Sequence, residues 1–565
     1  MIFSLLFTGA VALNALLIFL GNGASFPLNG FDFWFLSCLA FGFSLFRPGW
    51  SFLIFLSILP FETINLAPEV LGIAVRPYQL FALVIFAAII IRRSVGRLGF
   101  SFSFHWFDVL VVVFSVGGFV SALFADQLAA AFKQAIVACF FGVLYFLSRQ
   151  FLSRKEDMYR VVPFLMLSGV LVGVYAIVQN VWFSRGMNLF EAMPGRPNAF
   201  FPEADWLGMY LIFLGSLAFA GMSMSWRGRN VARSGKVSLN SSGKILHRKL
   251  NLAGSRQWLA VLIEETIQKW SAHMSLLSEW LSWYSSFGTA FFFLLTFFIS
   301  ISAIILTVAR SAWIGMIAAM FVGFGITVFL KRKEMLAWRN ITMFGFLMSV
   351  GTLLSIGFVW FFHLTSFELE ERTISAASGW QSITVSCSSS VALPERINSI
   401  NELSVYSCWF IRLEEIESEQ LAGHSIQRIL RPDPSIRARQ EIFSTVAEQI
   451  REHWALGIGW GSIGSVLGTD DRGSKLNASN AFLEVWLGGG LFAFLAFLIL
   501  WFLVPIFSLI RIFTPRKYSE EKTIALFFLV SWVGFSCFNL FNSGIFLGFV
   551  WVWLGGIGLI APNKS

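Results

Sequence analysis

A few cations stand where a largely apolar chain has little use for them. Arg310 lies between two hydrophobic runs with almost no loop, and Lys133 sits one turn inside another run. Arg196 belongs to a proline-broken polar stretch that also holds Glu203 and Asp205. Arg439 falls one turn before Phe443, on the face where Phe443, Val446, Ile450 and Trp454 recur at three- or four-residue spacing, the mark of an amphipathic helix. A guanidinium grips two oxygens with its planar fork and never deprotonates, so arginines gathered at a lipid–water boundary suit the clamping of a phosphate or diphosphate. No matching set of acids accompanies these cations in the sequence.

Each has a plainer reading. Arg310 is also placed to snorkel to headgroups, Arg196 to structure its loop, and Arg437, off the apolar face, to pair with Glu441 at i, i+4. Glu484 lies within the first turn of an apolar helix, where a carboxylate is favourable without any further role. Gly459-Trp-Gly461-Ser-Ile-Gly464 fits a dinucleotide pattern, but no strand precedes it, and its glycines read as turn residues. Five cysteines form no metal-ligand spacing, so no metal is expected; only Cys387 and Cys408 share a polar loop, where a disulfide between them is an open alternative.

The elements that must position these residues are membrane helices. The chain is 565 residues long, 56% hydrophobic and 13% charged, the composition of an all-α polytopic membrane protein and not of a soluble domain. Apolar runs from Ile2 to Ala561 give about 12 to 14 transmembrane helices, the short run Trp50 to Leu59 being the weakest. The net charge of +9 comes from short basic clusters between spans, which the positive-inside rule explains better than nucleic acid does. That rule places both termini in the cytoplasm and divides the chain into five parts. These are N-terminal helices (1–225), a cytoplasmic basic loop with an interfacial helix from Leu259 to Tyr284 (226–287), central helices (288–362), a large external loop (363–480), and the last three helices (481–565). The N-terminus, lacking a basic region and a cleavage site, reads as a retained first span.

Four stretches then carry a family resemblance: Val308-Ala-Arg310-Ser-Ala-Trp-Ile-Gly, Arg439-Gln-Glu-Ile-Phe, His453-Trp-Ala-Leu-Gly-Ile-Gly-Trp-Gly, and Ser479-Asn480-Ala-Phe-Leu-Glu484-Val-Trp-Leu-Gly-Gly-Gly-Leu. They resemble the O-antigen ligase and polymerase superfamily of bacterial envelope glycosyltransferases; Arg196 to Gly208 is similar more loosely, and the N-terminal third only in hydropathy. The resemblance implies a metal-independent, cofactor-free, inverting transfer of glycan from undecaprenyl diphosphate to a glycan or lipid A-core acceptor, at the outer face of the bacterial inner membrane. Arg310 and Arg439 match the family's two external arginines, expected to be catalytic by stabilising charge on the leaving diphosphate. Arg437, Arg196, Lys133, Ser479, Asn480 and Glu484 are the expected substrate-binding residues. Ligases of this family usually carry a histidine before the final asparagine, and here Ser479 takes that place. The departure favours a polymerase or other polysaccharide-assembly role, with His453 or Glu441 as candidate bases. A transporter and a non-enzymatic assembly protein are the competing readings; clustering of the candidate charges on one surface counts against the former.

Overall fold

In lipid every backbone N–H and C=O must find a partner within its own segment, and the long apolar runs accordingly form helices. The structure, a computed structural model, describes residues 27–95, 104–183, 196–225, 290–331, 337–362, 364, 375, 378–388, 393–411, 415–469, 475–514 and 520–562. The expected first span from Ile2 and the expected interfacial helix at Leu259 to Tyr284 lie outside these residues.

The first half supplies α1 (Gly30–Phe46), α2 (Pro48–Ser57), α3 (Pro77–Ser94), α4 (Asp108–Leu123), α5 (Leu128–Phe151), α6 (Lys155–Phe183) and α7 (Ala204–Ser225). Next come α8 (Ala290–Leu306), α9 (Arg310–Lys331) and α10 (Ala337–Phe361). The polar insertion contains β1 (Trp380–Cys387), β2 (Cys408–Phe410), α11 (Ile416–Leu421), β3 (Ser425–Pro432), α12 (Pro434–His453) and the short α13 (Ile463–Leu467). The chain closes with α14 (Ala481–Phe513), α15 (Glu520–Asn539) and α16 (Gly548–Gly555). Among the described residues eight helices are long and apolar enough to cross a membrane, and five more are apolar but shorter, α2 among them. The chain is a multi-pass membrane protein.

Helix α7 is buried almost throughout, from Leu207 to Met222. Small residues let its neighbours approach: a side chain at Gly208 would meet Ala312 of α9, one at Gly315 the carbonyl of Gly534, and one at Gly534 the side chain of Ile212. This close-packed trio, α7, α9 and α15, is the frame of the site.

The insertion is not wholly helical. β2, β1 and β3 form an antiparallel sheet in that order, pairing Cys387 with Cys408 and Gln381 with Arg431. Cys387 and Cys408 are joined by a disulfide, which settles the alternative left open by the sequence. Ile383, Val385 and Ile429 form a small core with Ile397 and Leu403. Its third strand feeds directly into α12, whose Ile442 and Val446 are buried against the membrane bundle, with Phe443 and Ile450 packed beside them. Each fully buried aliphatic side chain of this kind contributes roughly 1.5–3 kcal/mol. Trp454, expected on the same face, is 55% exposed, because the helix ends at His453 and the chain turns away.

The turn enters the bundle. Ile458 N–H donates to the Leu487 carbonyl (2.8 Å) and Leu491 N–H to the Ala455 carbonyl (3.0 Å). α14 is interrupted at Gly490, where φ is 73°. Each of these two segments satisfies backbone groups that the other leaves open.

Candidate functional site

Only Thr307 to Ala309 separate α8 from α9, and Val308 makes the reversal with φ 52°, a left-handed conformation rarely held by a β-branched residue. The reversal presents Arg310 as the first residue of α9. Its Nη1 donates to Asp433 Oδ2 at 2.9 Å and lies 3.5 Å from Ser375 Oγ. The Asp433 carboxylate is 4% exposed and Arg310 17%, so the pair is largely withdrawn from water. Asp433 sits where β3 becomes α12, its N–H donating to the Gly379 carbonyl at 2.9 Å.

Arg196 reaches the same place from the loop before α7. Its Nη2 donates to Asp205 Oδ1 (2.9 Å) and its Nε to the Thr307 carbonyl (3.0 Å). The loop is held by Gln179 of α6, whose Oε1 accepts from the N–H groups of Asn198 (3.1 Å) and Ala199 (2.8 Å). Ala199 is itself left-handed, at φ 49°.

Arg439, on the buried side of α12, completes the group. Burial pulls its guanidinium down from the ordinary arginine range, Asp205 and Asp433 push it back up, and Arg310 lowers it further. Among the described residues Arg439 makes no ion pair or hydrogen bond through its side chain. Among the described residues Arg310 and Arg196 are each paired with a carboxylate, and Arg439 is not.

This corrects the expectation that the arginines lack matching acids. Pro432-Asp433-Pro434 reads as a proline-flanked turn, with nothing local to mark Asp433 as an arginine's partner. Asp205 stands in a proline-broken polar loop in the sequence; its place in the first turn of α7 becomes informative once α7 and α9 are known to pack.

The other expected residues lie elsewhere or hold structure. Asn480 caps α14, its Oδ1 accepting from the N–H groups of Phe482 (2.9 Å) and Leu483 (3.1 Å) while its Nδ2 donates to the Leu540 carbonyl (3.1 Å). Two residues on, Asn542 Nδ2 lies 2.6 Å from Ser311 Oγ, so the α15–α16 connection ties the start of α14 to the start of α9. Glu484 is buried and accepts from Ala478 N–H at 3.3 Å. Ser479 is left-handed at φ 50°, its N–H donating to Asn477 Oδ1. Lys133 is exposed on α5 and makes no ion pair among the described residues. The side chain of Arg437 lies outside the described residues. His453 stands at the far end of α12, fourteen residues from Arg439, or about 21 Å along the helix. It is too distant to act at the arginines. Glu441 is exposed, about 200° around α12 from Arg439.

Residues 295–498 match the family model described as O-antigen ligase. No curated protein and no solved structure matches the chain. The matched stretch runs from α8 through the insertion into α14 and contains Arg310, Asp433, Arg439, Ser479, Asn480 and Glu484. That stretch, residues 295–498, is thus an O-antigen ligase-type domain set in a multi-pass helical scaffold.

Proposed function

We propose that the protein is a glycosyltransferase acting at the outer face of the inner membrane, moving glycan from undecaprenyl diphosphate to a growing glycan chain. The observation that carries this reading is the guanidinium of Arg439, which lies in the field of Asp205 and Asp433 and, among the described residues, is bonded to neither. Arg310 and Arg196 are anchored by Asp433 and Asp205, so they are preorganised, and Arg439 is left to meet an incoming anion. A diphosphate carries its charge at the depth where helix starts cluster. α7, α9 and α14 all begin at this end of the bundle, as the Arg310–Asp433 and Asn542–Ser311 links establish, and their amide dipoles favour negative charge there.

The reaction fits an electrostatic mechanism. As the acceptor hydroxyl attacks the anomeric carbon, the glycosidic bond to the diphosphate breaks and charge builds on the leaving oxygen. Preorganised donors aimed at that developing charge are worth roughly 2.7–4 kcal/mol each. No imidazole stands at the cluster among the described residues, His453 being a helix length away. Stabilisation of the leaving group thus carries most of the catalysis, and Ser479 in place of histidine suits chain growth better than ligation to lipid A-core.

A transporter would share the broken helix α14 with this protein. The groove beside the break is lined by Val116, Gly117, Val120, Leu456, Gly489 and Phe492, with no charge to bind a solute. The test is transfer from purified undecaprenyl diphosphate oligosaccharide in liposomes, comparing wild type with Arg310→Ala, Arg439→Ala and Ser479→Ala. Equal turnover in wild type and both arginine variants would overturn the clamp. Orientation is tested by an impermeant thiol reagent, expected to label Ser418→Cys and not Ser94→Cys in intact cells.

A further inference from the structure

The sheet of the insertion stands on the arginine cluster. Asp433 N–H is bonded to Gly379, Gly379 N–H to the Ser375 carbonyl at 2.9 Å, and Ser375 Oγ lies 3.5 Å from Arg310. β3 leaves this base through Pro432 and Arg431, and Arg431 lies opposite Gln381 of β1. Directly paired residues share a face of a sheet, and so do alternate residues along a strand. Gln381, Arg431 and, through its pairing with Val385, Phe410 therefore occupy one face.

They also touch. Arg431 donates from Nε (3.3 Å) and Nη2 (3.1 Å) to Gln381 Oε1, and its guanidinium carbon lies 5.9 Å from the centre of the Phe410 ring. Phe410 is 43% exposed. On the same face Ile383, Val385 and Ile429 are buried with Ile397 and Leu403, so Gln381, Arg431 and Phe410 form the margin of that small core. Arg431 has an amide and a ring for neighbours, and among the described residues no carboxylate within ion-pair distance. Its remaining N–H donors stay available.

We infer that Phe410, Arg431 and Gln381 form a platform for the sugar chain of the substrate whose diphosphate lies on Arg310 and Arg439. A pyranose presents a flat face of C–H groups to an aromatic ring and a rim of hydroxyls to amide and guanidinium donors, and this row offers both side by side. At about 3.4 Å per residue, the row begins roughly 7 Å from Asp433 and ends roughly 20 Å away, the reach of a short oligosaccharide leaving the cluster. The continuous path from Arg310 through Ser375, Gly379 and Asp433 into β3 is what favours glycan over an unrelated protein partner. The platform rests on the glycosyltransferase reading.

The experiment uses the full chain in liposomes with two donors: undecaprenyl diphosphate carrying a single sugar, and the longer lipid-linked glycan that accumulates in cells lacking the gene. Phe410→Leu, Arg431→Gln and Gln381→Ala are each compared with wild type. The expected result is a KM for the long donor raised about tenfold, the loss of one good contact, with kcat unchanged and the single-sugar donor unaffected. Unchanged KM for the long donor, or equal losses on both donors, would overturn the platform. Formation of the Cys387–Cys408 disulfide, read by non-reducing gel mobility, controls for folding of the sheet. Inactivity of the wild type on both donors would instead refute the glycosyltransferase reading, and the platform with it.

Discussion

Arg310 and Arg439 share the field of Asp433, yet only Arg310 is bonded to it, at 2.9 Å. The two arginines should therefore separate stability from activity. Removing Arg310 takes its ion-pair partner from a carboxylate that is 4% exposed, and breaking a buried pair costs about 3–5 kcal/mol. Removing Arg439 strands nothing and relieves its repulsion with Arg310. Arg439→Ala is expected to keep wild-type thermal stability in detergent while transfer falls about 100- to 1,000-fold. Arg310→Ala should lose both. A thermal shift for Arg439→Ala as large as that for Arg310→Ala would mean that Arg439 is a structural cation.

The double variant Arg310→Met with Asp433→Asn isolates the catalytic share of Arg310. Neutralising both partners removes the uncompensated charge, and asparagine keeps the short polar side chain before Pro434. Melting temperature is expected to recover most of what Arg310→Ala loses. Transfer is not. Recovery of turnover along with stability would show that Arg310 serves only to hold Asp433.

Much of this was legible in the residues, and the reasons for the gaps are physical. Arg310 and Arg439 stood out because a charge beside apolar runs needs a purpose, and periodicity placed Arg439 on the buried face of α12. Asp433 lay 123 positions from Arg310, and no local pattern encodes a pairing across that distance. The sheet was missed because β1, Trp-Gln-Ser-Ile-Thr-Val-Ser-Cys, alternates weakly and its partners are separated by polar stretches. Of the glycines expected in a turn, Gly459 is left-handed, and so is Gly457 before it; no local pattern shows that this turn is threaded into α14.

The disulfide offers a test of both the sheet and the orientation. It closes a loop between residues 21 apart, for which the chain-entropy model gives roughly 3 kcal/mol. Cys387→Ser with Cys408→Ser should leave the membrane helices inserted but make the insertion a preferred site of proteolysis. In cells the bond should be present without added oxidant, since an exported segment meets an oxidising compartment. A fully reduced pair in freshly lysed, thiol-trapped cells would count against an external insertion.

The interlock of Gly457 and Gly490 gives the most stringent test of the fold. Gly490 has φ 73°, and a methyl group there would lie 2.6 Å from the Ala455 carbonyl oxygen and from the Leu456 carbonyl carbon. One at Gly457 would lie 2.6 Å from the Leu487 oxygen and 2.8 Å from the Gly490 nitrogen. These neighbours are backbone atoms tied by the Ile458–Leu487 and Leu491–Ala455 hydrogen bonds, so they cannot yield without breaking the ladder. Gly72 separates this clash from simple backbone strain: it is left-handed at φ 61° with open space around it. Gly72→Ala should cost about 1–2 kcal/mol and leave transfer intact. Either Gly490→Ala or Gly457→Ala adds the clash and two exposed backbone partners in a membrane setting, where each unsatisfied group costs several kcal/mol. The expected outcome is loss of the monodisperse peak in detergent size-exclusion chromatography for both, against full retention for Gly72→Ala. If Gly490→Ala behaves like Gly72→Ala, the turn after α12 does not enter the bundle as described.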